Sequence, residues 1–319
     1  MTTSDSGSGS FTGPLHDAHD PAITVRGLTK RFGSFTAVDD LDLVVRRGTV
    51  HGFLGPNGAG KSTAIRAILG MLKPNAGTID VLGHDPTRDP AAATARVAYV
   101  PGDVELWPNL TGGEAIDLFG RLRGRVNQRR RDDLIDRFDL DPRRKGRTYS
   151  KGNRQKVALI AALSADVDLL LLDEPTSGLD PLMEAVFQEL IREACARGTT
   201  VLLSSHILSQ VEALADRISI IRKGRVVETG TLLDMRHLSR TVVTVLTDRP
   251  TEELVRHEGI HNAHREGEQV RFDVDAAHLP AVMQELATLG VRALTATPPS
   301  LERLLLRHYG DTPDGVDQP

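Results

Sequence analysis

An apolar run at residues 50–54, VHGFL, leads directly into GPNGAGKST at residues 55–63, and helical apolar spacing takes over across residues 62–72. A strand, a glycine loop and a helix in that order leave little freedom of fold, because the loop must turn sharply at the end of a buried strand. Gly55, Gly58 and Gly60 let the backbone point its N–H groups inward without side-chain clash, with Pro56, Asn57 and Ala59 between them. Such a loop is an anion nest at a helix N-terminus. Lys61 is placed to reach terminal phosphates, Ser62 offers a hydroxyl to Mg²⁺, and Thr63 with the first-turn amides adds phosphate contacts. A chance match to this glycine, lysine and hydroxyl pattern is expected about once per hundred chains of this size, so we read a nucleotide site rather than a glycine-rich turn.

A second signal supports the first. Residues 168–175, DLLLLDEP, form a short apolar run that delivers Asp173 and Glu174 to a strand's C-terminal end, where ligands gather in open α/β sheets. Adjacent carboxylates repel unless a cation and different tasks separate them. Asp173 is therefore expected to face Mg²⁺ through water, and Glu174 to orient and polarise the water that attacks a phosphate. Between loop and carboxylates lies YSKGNRQKVALIAAL, residues 149–163.

The remaining chain reads as α/β. Residues 23–45 alternate apolar and polar positions around Gly27 and Gly33, predicting two or three antiparallel strands. Residues 103–147 are helical and charged, with ten arginines from Arg121 to Arg147 interleaved with Asp132, Asp133, Asp136, Asp139 and Asp141, a pattern of a solvated face. Strands at 97–100, 169–172 and 200–203 and a strand pair around Gly224 alternate with helices at 156–163, 181–197 and 207–215, predicting a mainly parallel, helix-covered sheet. Past Met235 a new unit begins: a strand at 242–246, a helix at 251–257, strands at 263–265 and 270–274 flanking Gly267, a helix at 277–289 and a strand at 291–296. This βαββαβ order is that of a small ferredoxin-like α+β domain, closed by a last helix at 300–308. The expected divisions are a disordered tail over 1–22, a nucleotide-binding domain over 23–235 with a helical subdomain at about 103–165, the accessory domain over 236–310 and a disordered tail over 311–319.

Composition excludes several alternatives. A net charge of -4 argues against a protein that coats nucleic acid. The single cysteine, Cys195, has no internal disulfide partner and is expected as a small buried packing residue in a reducing compartment. The first twenty residues lack the basic and apolar stretches of a signal peptide, and no apolar run approaches the roughly 18 residues that cross a bilayer. A membrane role thus requires a partner chain.

In this order the motifs resemble the ATP-binding-cassette (ABC) ATPases, with their P-loop NTPase fold, antiparallel β subdomain and helical subdomain, from residue 23 to about 233. Ser150 and Gly152 match the family signature usually written LSGGQ, and Ser177, Gly178, Leu179 and Asp180 match the loop after the acidic motif. His206 matches the switch histidine and Phe32 the aromatic that stacks on adenine. The resemblance implies ATP and Mg²⁺ as ligands and hydrolysis of ATP. It also implies a homodimer with two composite sites, each joining Lys61, Ser62, Asp173, Glu174 and His206 of one chain to Ser150 and Gly152 of the other. Those two residues precede a helix expected to start near 152–154, whose N-terminus points at the opposite γ-phosphate. Hydrolysis removes that phosphate and loosens the pair. The chain would then sit on the cytoplasmic face of the cell membrane, docked on a separately encoded integral-membrane permease and not on nucleic acid.

Two departures stand out. The family glutamine near Mg²⁺ is replaced by Gly102 in YVPGDVELWPNLTGGE, so that either Asp103 or a water takes the metal contact, or the loop only couples to a partner and nothing replaces the glutamine. Lys151 stands at the signature's first glycine and Asn153 at its glutamine; Lys151 either adds charge beside the phosphate or points to solvent, and solvent is the expectation.

Residues 102–113, with Trp107 and Pro108, are the expected coupling surface, unless Trp107 is a core residue. TPPSLERLLLRHYG, residues 297–310, resembles the tail of ABC-2 exporter ATPases of the daunorubicin-resistance type, implying export of drugs or other hydrophobic compounds. Importers with a regulatory ferredoxin-like domain are the alternative within transport. Soluble ABC ATPases of translation usually carry two cassettes against one here, and those of DNA repair carry long coiled coils, for which residues 103–147 lack sustained heptads.

Overall fold

Two long strands, β1 (Pro21–Phe32) and β2 (Phe35–Arg46), pair antiparallel through a hairpin in which Phe32 faces Phe35. Alternation along β2 buries Val38, Leu41, Leu43 and Val45 and exposes Asp40, Asp42 and Val44, the pattern of a sheet with one face packed. The computed structural model describes residues 21–122, 127–237 and 240–297. Pro21 and Ala22, expected in a disordered tail, already belong to β1, where Pro21 pairs with Arg46. A third strand, β4 (Ala76–Val81), joins on the other side to give the order β2-β1-β4. The first 20 residues and the expected last helix and tail lie outside the described residues.

The central sheet has six strands: β3 (Val50–Leu54), β5 (Val97–Val100), β6 (Leu169–Asp173), β7 (Thr200–Ser205), β8 (Arg217–Arg222) and β9 (Arg225–Thr231), in the order β5-β6-β7-β3-β8-β9. All pairs are parallel except β8 with β9. Strands β3, β6 and β7 are buried at every position, as parallel strands covered on both faces must be. Helices α1 (Lys61–Ile68), α2 (Pro90–Thr94), α6 (Pro181–Ala196) and α7 (Leu208–Glu212) connect them. Helix α7 is shorter than the expected 207–215, ending in a turn at Ala213. The order places β6, β7 and β3 side by side, so the chain leaves three neighbouring strands at one edge: the glycine loop after β3, Asp173 and Glu174 at the end of β6, and His206 after β7.

Helices α3 (Gly112–Leu122), α4 (Gln128–Arg137) and α5 (Lys151–Leu163) form the helical region. The arginines here are paired, in part with carboxylates beyond the interleaved ones: Arg131 binds Asp132 at 2.7 Å and Asp117 of α3 at 2.7 Å, and Arg137 binds Glu193 of α6 at 2.9 Å. Helix α5 starts at Lys151, five residues before the periodic segment at 156 and next to the start near 152–154 that the signature implies, because Ser150 caps it by accepting from Asn153 N. Trp107 is half exposed and packs on Phe119 with ring centroids 5.8 Å apart, so it is a surface residue of this region. Cys195 is only half-buried: it packs at the edge of the core, with Sγ 3.0 Å from Gly48 O in the loop before β3.

After α8 (Leu232–His237), which crosses the expected boundary at 235, strands β10 (Thr241–Thr247), β11 (Ile260–Glu266), β12 (Gln269–Val274) and β13 (Val291–Thr297) form a separate antiparallel sheet in the order β11-β12-β10-β13. This is the ferredoxin-like order. Val243, Val245, Phe272 and Val274 pack beneath Val282 and Leu286 of α9 (Leu279–Thr288) as their own core. The helix expected at 251–257 is a single 3-10 turn, Leu254–Arg256; a segment this short gains little from propagation to offset nucleation.

One buried group ties stability to pH. His51 on β3 is fully buried, with Nε2 2.9 Å from Ser219 Oγ, and burial, reinforced by Arg217, lowers its pKa from 6.5 to about 4. Between those values the unfolded chain holds a proton that the folded chain does not, so stability falls as pH drops from about 6.5 to about 4, by up to about 3 kcal/mol. Chemical denaturation across that window is expected to show a shallower pH slope in His51→Gln than in the parent chain. Equal slopes would contradict the assignment.

Candidate functional site

The glycine loop owes its shape to close packing. A Cβ at Gly55 would lie 2.4 Å from Ile221 O, and one at Gly60, whose φ is 108°, would lie 2.5 Å from Ala37 O. Neither position accepts a side chain, whereas Gly58, with φ of 80°, faces open space. Behind the loop, Gly224 N donates to Ala59 O at 2.9 Å and Asp39 N donates to Gly224 O at 3.0 Å, so the β8–β9 turn and β2 brace it. The cradle is a cleft of about 220 Å³ lined by Asn57, Gly58, Gly60, Lys61, Ser62 and Thr63, together with Glu174 and, from β2, Phe35 and Ala37.

Lys61 opens α1 and is only 4% exposed. Its ammonium donates to Gly55 O at 2.6 Å and Pro56 O at 3.1 Å and stands 3.5 Å from Glu174 Oε1. Burial pushes this ammonium below its ordinary pKa, opposed by the charges of Glu174 and Asp173. The same Glu174 oxygen lies 3.2 Å from His206 Nδ1. One carboxylate thus gathers Lys61 and His206, residues far apart in sequence that neighbouring strands bring to the same edge. Glu174 itself sits at φ of 49°, a strained backbone for a non-glycine residue, held by Glu174 N donating to Ser204 O at 3.1 Å.

Asp173 is buried, and Ser204 Oγ donates to its Oδ1 at 2.5 Å. Ser204 belongs to no motif. Its only sequence signal is a polar pair, Ser204 and Ser205, ending an otherwise apolar strand. The buried hydroxyl leaves the second oxygen of Asp173 for another partner and fixes the carboxylate plane. The oxygen set of Ser62, Asp173 and Glu174 beside a cradle of backbone amides fits a phosphate chain and a hard, oxygen-preferring cation.

Not every expected residue lines this cleft. Phe32 is 48% exposed and carries Lys30 Nζ 5.1 Å from its ring centre; Phe35, unremarked in the sequence and 63% exposed, is the aromatic lining the cleft. Asp103 is exposed in the turn after β5, and its neighbour Gly102 lies against the acidic strand end, where an added Cβ would be 3.1 Å from Asp173 O. Ser150 and Gly152 form a separate surface at the start of α5. A Cβ at Gly152 would lie 2.3 Å from Gly178 O, so α5 is docked on the loop after Glu174. Asp180 closes that loop by capping α6, accepting from Met183 N at 3.0 Å. Lys151 is exposed to solvent, as expected.

The family profile described as ABC transporter matches residues 38–177. The daunorubicin resistance ATP-binding protein of Streptomyces coeruleorubidus is 45% identical over 222 residues, 68% of this chain and 70% of that protein. The linearmycin resistance ATP-binding protein of Bacillus subtilis is 30% identical over 309 residues, 91% of this chain and 99% of that protein. Among solved structures, an ATP-binding subunit of an ABC transporter superposes with a TM-score of 0.64 at 33% identity, covering 68% of this chain and 92% of that one.

Proposed function

Because this chain belongs to the ABC transporter ATP-binding proteins and is an ATPase of that family, we propose that it is the ATP-hydrolysing subunit of an exporter of drugs or other hydrophobic compounds. The observation that carries the export reading is the 45% identity to a daunorubicin resistance protein over 222 residues. Among the described residues no helix is long and apolar enough to cross a membrane, in keeping with a permease on a separate chain.

ATP is held by the amides of residues 55–63, with Lys61 on the terminal phosphates and an aromatic of the β1–β2 hairpin, Phe32 or its neighbour Phe35, against the base. Ser62, and Asp173 through water, would hold Mg²⁺, with Asp103 as a candidate third oxygen from the turn after β5; bound there, the ion would neutralise phosphate charge. Glu174 orients the attacking water. His206, 3.2 Å from its carboxylate, keeps it aimed, and Ser204 keeps Asp173 from turning toward it. Ser150 and Gly152 of a second copy of the chain complete the site from the opposite side, making the working form a homodimer.

The Asp103 assignment has its own test. Asp103→Ala is expected to raise the Mg²⁺ concentration for half-maximal hydrolysis about tenfold. An unchanged Mg²⁺ requirement and turnover would leave residues 102–113 a coupling role alone. The exporter reading is tested by co-expression with the product of a neighbouring gene that carries about six apolar spans. Recovery of this chain in the membrane fraction only with that product, and drug resistance lost in Lys61→Ala, is the expected result. A chain that remains with ribosomes or DNA would sink it.

A further inference from the structure

A second opening, of about 490 Å³, lies at the far end of β6 from the phosphate cleft and shares no lining residue with it. Asp168 at this opening and Asp173 at the cleft stand at opposite ends of β6, about 16 Å apart by strand length. Its walls come from separate elements: Arg96 before β5, Arg130 in the first turn of α4, Ala162 and Leu163 at the end of α5, and Ala194 and Arg197 at the end of α6. The size is that of a small-molecule pocket.

The ends of two helices would ordinarily make such a place suit a cation, because unpaired carbonyls gather there. Here the carbonyls already have donors. Ala194 O accepts from Thr199 N at 3.1 Å and Cys195 O from Gly198 N at 2.8 Å, with Gly198 at φ of 93° closing α6 in the left-handed region. Ser164 O accepts from Asn127 N at 3.4 Å, Ala165 O from Arg130 Nη1 at 3.4 Å and Val167 O from Thr199 Oγ1 at 3.3 Å.

What is left over is positive charge. Three guanidiniums face two carboxylates. Arg96 grips Asp168 with both ends of its fork, Nη2 lying 2.6 Å from Oδ1, and Arg130 reaches Asp166 at 3.0 Å, a carboxylate 77% exposed and therefore weakly felt inside the cavity. Arg197 has no such partner among the described residues. Its nearest carboxylate, Glu193, is 4.0 Å away and is already held through both oxygens by Arg137, at 2.9 and 3.0 Å. Burial, and then the charge of Arg130, push the Arg197 guanidinium below its ordinary pKa, opposed by Glu193 and Asp166. Two like charges held near one another on different elements call for an anion between them.

We propose that this cavity binds a phosphate monoester of a small organic molecule, with its phosphate between Arg130 and Arg197 and its organic part against Ala162, Leu163 and Ala194. A phosphate offers three acceptor oxygens, enough for two forks that approach from different elements, whereas a planar carboxylate fills one. The apolar side chains beside the arginines give the rest of the molecule a surface that inorganic phosphate would leave empty. The site goes beyond the exporter reading and does not rest on it.

Calorimetric titration of phenyl phosphate into the full-length chain, saturated with ADP and Mg²⁺ so that the phosphate cleft is filled, tests it. The variants are Arg130→Ala, Arg197→Ala and Arg197→Gln, with Arg143→Ala, a 91% exposed arginine outside the cavity, as the control. The expected result is one saturable site per chain, weakened about tenfold by each of the three cavity variants and unchanged in Arg143→Ala. Inorganic phosphate is expected to bind about tenfold more weakly than phenyl phosphate. Phenyl phosphate should also raise the melting temperature of the ADP-loaded parent and leave that of Arg197→Gln unmoved. No saturable binding, or binding that the cavity variants leave intact, overturns the proposal. Equal affinity for inorganic phosphate overturns the assignment to an organic monoester. Each of these failures leaves the nucleotide site and the exporter reading standing, because the two openings share no residue.

Discussion

Glu174→Gln lowers the rate of ATP hydrolysis by about a hundredfold to a thousandfold, the range expected when a group that orients and polarises the attacking water loses its charge. The variant keeps the shape of the side chain and its strained backbone, so nucleotide affinity is expected to hold within a few-fold. Lys61 then loses the carboxylate 3.5 Å away that opposes the effect of burial on its ammonium, and His206 loses the acceptor 3.2 Å from its Nδ1. The measurement is steady-state phosphate release at saturating ATP and Mg²⁺, beside an equilibrium titration of nucleotide. A rate near that of the parent chain would remove Glu174 from its assigned role.

Gly152→Ala is the second large effect, and its sign runs against helix propensity. Alanine in the first turn of α5 is intrinsically favoured over glycine by about 1 kcal/mol. In this chain, however, the added methyl would meet Gly178 O at 2.3 Å, so α5 and the loop after Glu174 must separate. A displacement near 1 Å at a reacting interface costs about a hundredfold in rate. The expectation is therefore a kcat lowered by about that factor, with unchanged ATP affinity of the isolated chain, whose phosphate loop lies on other elements. Intact turnover in Gly152→Ala would show that the Gly152–Gly178 contact has no role in the composite site.

The parts legible in sequence were those where one local rule forces one geometry. Glycine spacing at 55, 58 and 60, an apolar pentamer before it and helical periodicity after it have a single common solution, and the structure realises it. The acidic strand end was legible for the same reason: LLLL can only be a buried strand here, and the two carboxylates after it must emerge at the sheet edge. Apolar periodicity alone begins α5 at 156, because KGN carries none, whereas the signature resemblance put its start near 152–154, within about a residue of Lys151. The aromatic at the cleft depends on a hairpin in which Phe32 and Phe35 are partners, so motif position alone does not say which ring turns inward. Ser204 beneath Asp173 and the Gly152–Gly178 approach are contacts between segments far apart in the chain. No local pattern encodes them, and they emerge only once the parallel order β6-β7-β3 and the placement of α5 are known.

The central claim is that ATP held by Lys61 and its loop is shared with Ser150 and Gly152 of a second chain until Glu174 directs its hydrolysis. Light scattering of Glu174→Gln in Mg²⁺, with ATP and then with ADP, tests it most directly. The expected masses are twice that of the chain in ATP and that of a single chain in ADP. A single-chain mass in ATP, under conditions where nucleotide is bound, would contradict it.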